Sequence, residues 1–283
     1  MLDSCLLTMI ATNNAYKIQE IRDILQTNVI SPKDIGVYEF NPIETGDTFE
    51  ENAMIKANTL LKAVNNLYHD KKPYFESKSK ILIIADDSGI CVDLLDGMPG
   101  VYSARYATLF KNNLLPLNEH NKRLLNKMLV SVSPSDEENR EALKHALEQT
   151  GFLISTAAFR CCIAYIVVQI DSNRGFQEIL KGEVNGICSG VVAIKECGKN
   201  GFGYDSMFYS KYDFGAFGNV ELLDLDSKTE FRAFAIPKNI YGDIALQSLQ
   251  ESFATISLEE KNQISHRNNA LLELKKKLCN ILD

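Results

Sequence analysis

Ile81-Leu82-Ile83-Ile84-Ala85-Asp86-Asp87-Ser88-Gly89 is the stretch on which the fold turns. Ile81 to Ala85 is a near-continuous β-rich run of the kind a fully buried strand shows. It is expected to stop at the two acids and the glycine, and buried strands with such ends belong to α/β sheets, whose sites lie beyond strand carboxyl ends. Upstream, Leu6 to Ala11 reads as another buried strand. It ends at Thr12-Asn13-Asn14, after which Ile18, Ile21, Ile24 and Leu25 recur at helical spacing, with Asn13 or Asn14 as the cap.

The same unit of strand, polar turn and helix organises the rest. Thr48 to about Asn65 reads as a helix: Thr48 caps it, Glu51 sits three residues on as in a capping box, and Ala53, Ala57, Leu60, Leu61 and Val64 form its apolar stripe. Asn118 to Leu129 and Asp136 to Gln149 have helical patterns. Phe159 to Ile170 and Gly182 to Ile194 read as neighbouring antiparallel strands. A final helix starts at Ser265 or Asn268 and ends at Leu282, with Leu271, Leu274, Leu278 and Leu282 on one face. The chain reads as a single domain, 1–283, with additions at about 68–80, 131–151 and 211–247. The last is too long for a simple connection and is expected as a surface excursion.

Bulk properties narrow the partners. A formal charge of -7 gives no global basic field for duplex nucleic acid. No apolar run approaches the roughly 20 residues a membrane helix needs. Seven cysteines without a CxxC pair suit a reducing compartment, so a soluble cytoplasmic protein is the expectation.

Several short patterns carry chemistry. Thr12-Asn13-Asn14-Ala15-Tyr16-Lys17 is a polar turn entering a helix, which offers N–H groups and a positive dipole end to phosphate, with Lys17 adding a point charge. The absence of GxxxxGK[ST] disfavours a P-loop NTPase. Asp86 and Asp87 suit a hard cation, since Mg²⁺ takes one or two protein carboxylates plus waters and phosphate oxygens. Glu44, Glu51 and Lys56 cluster around a helix start. Gly201-Phe202-Gly203-Tyr204-Asp205 can present a ring to a flat ligand, and Ser265-His266-Arg267 adds donors. Each pattern alone also fits an ordinary cap, turn or solvated helix face.

Taken in order, they become specific. Thr-x-Asn-x-x-Lys, Thr-Gly-x-Thr-Phe-x-Glu-Asn-Ala-x-x-Lys-Ala, Ala-Asp-Asp-Ser-Gly, the Gly97 to Tyr106 motif, Gly-Phe-Gly-Tyr-Asp and Glu-Lys-Asn-x-Ile-Ser-His-Arg span nearly the whole chain. This succession strongly resembles the inosine triphosphate pyrophosphatase family of the RdgB type, which acts on aberrant purine nucleoside triphosphates. The resemblance implies an elongated α/β protein with a long central mixed sheet, two lobes and a nucleotide-binding groove between them. It further implies a homodimer and Mg²⁺-dependent cleavage of ITP, dITP or XTP to a nucleoside monophosphate and pyrophosphate.

By motif position the resemblance assigns roles. Thr12, Asn13, Asn14, Ala15, Tyr16 and Lys17 would bind phosphate, and Lys56 would support the triphosphate. Asp87, perhaps with Asp86, would be the general base, and Asp87 with Glu44 would hold the metal. Ser88 would touch substrate. Phe202, Gly203, Tyr204, Asp205, Lys261, His266 and Arg267 would form the base pocket, with Arg267 donating to the six-position oxygen. The family usually has glycine at Asn13, and asparagine tolerates a left-handed φ there. The acid that many members carry one position before Glu44 is Ile43 here. A Maf-like pyrophosphatase, a regulator that has lost catalysis, and an interaction protein docking through 211–247 are the alternatives; no stable nucleic-acid or membrane partner is expected.

Overall fold

The computed structural model describes residues 6–68, 70, 74–75, 78–115, 121, 124, 134–171, 175–212, 221–222 and 233–282. In chain order the elements are β1 (Leu6–Ile10), α1 (Ala15–Leu25), β2 (Val29–Ile30), α2 (Phe49–Leu67) and β3 (Lys80–Val92). There follow α3 (Tyr106–Lys111), α4 (Asp136–Thr150), β4 (Phe152–Asp171), β5 (Gly175–Ala193) and β6 (Phe208–Tyr209). The chain closes with β7 (Glu221–Leu222), β8 (Phe234–Pro237), α5 (Ile240–Ser248), α6 (Leu258–Ile264) and α7 (His266–Leu282). Most of the helix expected over 118–129 lies outside the described residues.

The fold is mixed α/β, as expected. The strands form one mixed sheet in the order β2-β1-β3-β4-β5-β6, with β8 beside β4 and β7 beside β8. β1 is parallel to β2 and to β3, while β8 is antiparallel to β4 and β6 antiparallel to β5. Local signals account for the helix starts. Asn14 is the α1 cap, its side chain accepting from the N–H groups of Tyr16 and Lys17. Thr48 accepts from the Glu51 N–H at 3.1 Å, and the Glu51 carboxylate accepts from the Asp47 N–H at 2.7 Å.

One expectation about the decisive stretch is corrected. β3 does not stop at the acids; Asp86, Asp87, Ser88 and Gly89 lie in mid-strand. Buried charges are tolerated where they are paired, and these two carboxylates meet cations on both faces of the strand.

The chain separates into two compact units, and β3, β4 and β5 each continue from one into the other. The first comprises Met1–Ser88, Cys161–Ile187 and Ser265–Asp283; the second comprises Gly89–Arg160 and Cys188–Ile264. The first has a core on each face of its sheet. Ile81, Ile83 and Ala85 pack with Ala53, Ala57, Leu60 and Val64 of α2. Leu82 and Ile84 pack with Ile21 and Leu25 of α1 and with Leu271, Leu274 and Leu278 of α7. The core of the second unit joins Ile90, Tyr106, Leu143, Leu147, Phe159, Val192, Phe208 and Phe253.

The stretches expected as additions contribute to these cores. Tyr68 and Phe75 are buried and meet Phe176 edge-on, with ring centroids 4.9 and 5.5 Å away. The helix α4 buries Ala142, Leu143, Ala146 and Leu147. Within 211–247, the described part is not a surface excursion: Ile236 and Ala235 pair with Ile154 and Ser155 of β4, and both are buried.

Candidate active site

The pleat of β3 decides what its two acids meet. Successive side chains on a strand point to opposite faces. Ile81, Ile83 and Ala85 occupy the α2 face, and Asp87 continues that series; Leu82 and Ile84 occupy the α1 and α7 face, and Asp86 continues the other. The adjacent carboxylates therefore cannot share one cation in the way their adjacency in sequence suggests.

On the α1 and α7 face, Asp86 is saturated. Lys17 Nζ donates to Oδ1 at 2.7 Å, and Arg267 Nε and Nη2 donate to Oδ2 at 3.1 and 3.0 Å. Arg267 Nη1 also pairs with the buried Glu20. Ser88, on the same face of the strand, accepts from Arg267 Nη2 at 3.0 Å and from Lys17 Nζ at 3.3 Å. The Cys161 thiol lies 3.7 Å from Asp86 Oδ2. Burial alone would raise the Asp86 pKa, but Lys17, Arg267 and Lys56 outweigh it and hold the carboxyl well below the usual range. Such a group stays ionised and is a poor proton acceptor.

On the α2 face, Asp87 is only half-satisfied. Its Oδ1 accepts from Lys56 Nζ at 2.6 Å, and Lys56 also meets Glu44 Oε1 at 3.3 Å. The other oxygen, Oδ2, is buried with no hydrogen-bond partner among the described residues. Burial pushes the Asp87 pKa up to about 6; the Lys56 ammonium opposes that shift, and the Glu44 carboxylate adds to it. Burial would lower the Lys56 pKa, yet Asp87, Glu44 and Asp86 together raise it above the ordinary lysine value. Glu44 stands before a turn in which the Gly46 N–H donates to Asn52 Oδ1 at 2.8 Å.

The phosphate turn is differently organised from the expectation. The N–H groups of Tyr16 and Lys17 are occupied by Asn14 Oδ1 at 3.0 and 3.2 Å, and the Asn14 N–H is occupied by Thr12 Oγ1 at 3.2 Å. Asn13 does not take a left-handed φ, a conformation that the described non-glycine residues adopt only at Gln26, Asp96 and Asn113. Its side-chain amide donates to the Phe40 carbonyl at 3.3 Å. What this turn presents to an anion is Lys17 on a fixed helix start, beside the exposed Ala15 and Tyr16.

The second unit holds the glycine loop. Gly201 and Gly203 have φ of +78° and +60°, left-handed values that glycine adopts readily. Asp205 Oδ2 accepts from the Phe202 N–H at 2.8 Å and from Lys261 Nζ at 2.6 Å. Lys261 Nζ also lies 4.8 Å from the centroid of the Phe202 ring. The Tyr204 hydroxyl donates to the Ser103 carbonyl at 2.8 Å. Phe202, Gly203 and Asp205 line a cavity of 470 Å³ together with Arg140, Glu196 and Asn200.

Apart from the Thr12 to Tyr16 turn and His266, the expected residues fall into three groups: Lys17, Asp86, Ser88 and Arg267; Lys56, Asp87 and Glu44; and Phe202, Gly203, Tyr204, Asp205 and Lys261. His266 is buried at the start of α7 in the first unit.

The model described as the Ham1 family matches residues 8–238. The chain belongs to the Ham1 family. It is 30% identical over 277 residues to the dITP/XTP pyrophosphatase of Campylobacter jejuni subsp. jejuni serotype O:2, covering 97% of this chain and 98% of that one. It is 31% identical to the dITP/XTP pyrophosphatase of Leuconostoc mesenteroides subsp. mesenteroides, covering 95% of each. The solved structure of the Staphylococcus aureus Ham1 protein aligns with TM-score 0.56 at 29% identity, over 96% of this chain and 98% of that one.

Other side chains of this Ham1 chain went unread in the sequence. Glu20 sits on α1 where an acid ordinarily faces solvent; only its position one turn after Lys17 hints at a shared charged face. Asp136 and Arg140 looked like ordinary surface residues of a helix. Glu196, which accepts from Arg140 Nε at 2.9 Å and Ser206 Oγ at 2.7 Å, has no motif around it.

Proposed function

We propose that this Ham1 chain hydrolyses aberrant purine nucleoside triphosphates, ITP, dITP and XTP, to the nucleoside monophosphate and pyrophosphate with Mg²⁺ as cofactor. Its enzyme class, a nucleoside-triphosphate pyrophosphatase, is that of its full-length relatives. The observation that carries the reading is the Asp87 carboxylate, buried, tied to Lys56 through one oxygen and, among the described residues, unpartnered at the other.

That orphaned oxygen fits a cation, because a buried polar atom without a partner is costly unless a ligand satisfies it. Asp87 and Glu44, on either side of Lys56, would hold Mg²⁺. Among the described residues no three metal-ligating side chains cluster. Mg²⁺ does not need them, since it keeps waters and takes substrate phosphate oxygens. When bound, it supplies positive charge against the phosphate oxygens.

The side chains do the rest. Lys17, held by Asp86 and fixed by the α1 start, and Lys56, held protonated by its carboxylates, offset charge on the triphosphate. Asp87 takes the proton of the water that attacks the α-phosphorus; a carboxylate raised toward the working pH suits that task. Asp86 is not part of this transfer, because its cations keep it ionised; it fixes Lys17. In the second unit Phe202 stacks on the base, with Asp205 and Lys261 behind it.

Specificity follows from the six-position. Inosine and xanthosine carry an oxygen acceptor there, whereas adenine carries an amine, and a buried donor left unmatched rejects the wrong base strongly. Arg267 has five N–H groups. It is the donor that the resemblance assigns to that oxygen, and among the described residues its contacts to Asp86, Glu20 and Ser88 use four of the five.

The five described free cysteines suit the reducing cytoplasm, and the family resemblance supports a homodimer. The test is pyrophosphate release from ITP, dITP, XTP, GTP, ATP and dUTP, with and without Mg²⁺. Metal-dependent turnover of the first three well above ATP and dUTP is expected. Equal rates across the panel, or rates indifferent to Mg²⁺, would overturn the proposal.

A further inference from the structure

The glycine loop cannot hold Phe202 by itself. Gly201 and Gly203 flank the ring with left-handed backbone, and glycine has more conformational freedom to lose than any other residue. Three consecutive peptide groups of the loop are nevertheless tied down. The Phe202 N–H goes to Asp205, as described. The Gly203 N–H donates to Asp136 Oδ2 at 2.7 Å, and the Gly203 carbonyl accepts from Arg140 Nη1 at 3.0 Å.

Both ties to Gly203 come from α4. Asp136 and Arg140 are four residues apart, so they project from one face, one turn after another. Their polarity matches the peptide, with the carboxylate on the N–H and the guanidinium on the carbonyl. The helix start that carries them is itself fixed by a reciprocal cap: Ser135 Oγ accepts from the Glu138 N–H at 3.2 Å, and the Glu138 carboxylate accepts from the Ser135 N–H at 2.9 Å. Arg140 is aimed by its second bond, Nε to Glu196, and Glu196 is steadied by Ser206 and by Lys144 Nζ at 2.6 Å.

We propose that Asp136 and Arg140 are positioning residues for base recognition, a clamp from α4 that sets the direction of the Phe202 ring. This rests on the reading of the loop as the one that presents an aromatic face to the base. The clamp touches neither phosphate nor the Asp87 group, so its loss acts on recognition of the base and not on the chemical step.

The test uses the full chain and the variants Asp136→Ala and Arg140→Ala, which remove the acceptor and the donor, with Arg140→Lys as the conservative partner. Hydrogen exchange of the ligand-free protein reads the clamp directly: protection of the Gly203 N–H should fall in Asp136→Ala while Asp205-bonded Phe202 stays protected. In kinetics with ITP, KM should rise about tenfold in either variant, the effect of losing a hydrogen bond to a charged group, with kcat changed less than threefold. Competitive inhibition by inosine monophosphate should weaken in the same proportion, and inhibition by pyrophosphate should not move. Arg140→Lys should recover part of the KM. A merely structural role would lower the melting temperature without separating the two inhibitors. Unchanged Gly203 exchange, or lost protection with unchanged KM, overturns the clamp alone, whereas a wild-type chain with no nucleotide turnover overturns the proposed function.

Discussion

The two faces of β3 carry the same residue type one peptide apart and treat it in opposite ways. Asp86 meets Lys17 and Arg267, with Glu20 completing a buried network, and every oxygen is satisfied. Asp87 meets Lys56, shares it with Glu44, and keeps one oxygen unpartnered among the described residues. Both are almost fully buried, so burial does not separate them. The cations that α1, α2 and α7 bring to each face do. The pKa values part accordingly, far down for Asp86 and up to about 6 for Asp87. A pair of titratable groups pushed apart in this way marks different roles; in the proposed function Asp86 organises the site and Asp87 acts in it.

The largest effect that can break this comparison is on stability. Arg267→Ala leaves Asp86 and Glu20 buried without their shared cation, and uncompensated charges of that kind cost about 3–5 kcal/mol. Denaturant unfolding should show that loss. A cost under about 1 kcal/mol, the range of an exposed pair, would mean the Asp86 face is not structural.

The way α7 is seated gives a smaller effect. A Cβ at Gly186 of β5 would lie 2.1 Å from the His266 carbonyl oxygen and 2.3 Å from the Ala270 nitrogen, both backbone atoms. Gly186→Ala should therefore push α7 outward and cost about 1–3 kcal/mol, as overpacking does. Arg267 moves with the helix, so activity should drop alongside stability. If activity stays whole while stability falls, Arg267 does not need its close seat on Asp86.

The smallest stability change is expected on the Asp87 face. Glu44 is partly exposed, and Glu44→Gln should shift unfolding by less than about 0.5 kcal/mol. Its effect should instead appear as a weaker Mg²⁺ requirement curve, by about tenfold or more in the metal concentration for half-maximal rate. An unchanged curve would leave Asp87 as the only protein ligand.

Much of this was legible in the sequence, for identifiable reasons. The Ile81 to Ala85 run and the cap at Asn14 rest on local chemistry, and the structure keeps both. The end of β3 was misread because Asp86 and Asp87 look like a strand terminus until their partners, distant in sequence at Lys17, Lys56 and Arg267, are in place. The role of Glu20 was hidden for the same reason, its partner Arg267 being 247 positions away. Within 211–247, the described strand at Phe234–Pro237 was missed because length suggested a surface loop, whereas the pairing of Ile236 with Ile154 is a long-range contact that no local pattern announces. Asp136 and Arg140 gave no signal, since an acid and an arginine one turn apart are the common dress of an exposed helix.

The central claim is that Asp87, not Asp86, performs the chemistry, and one paired measurement on Asp87→Asn tests it. The variant keeps size and the contact to Lys56, so nucleotide affinity by calorimetry with Mg²⁺ should stay within about threefold of wild type. Pyrophosphate release from ITP should fall by about 10² to 10⁴, the contribution of a positioned general base. Turnover within about tenfold of wild type, with binding intact, would contradict the account.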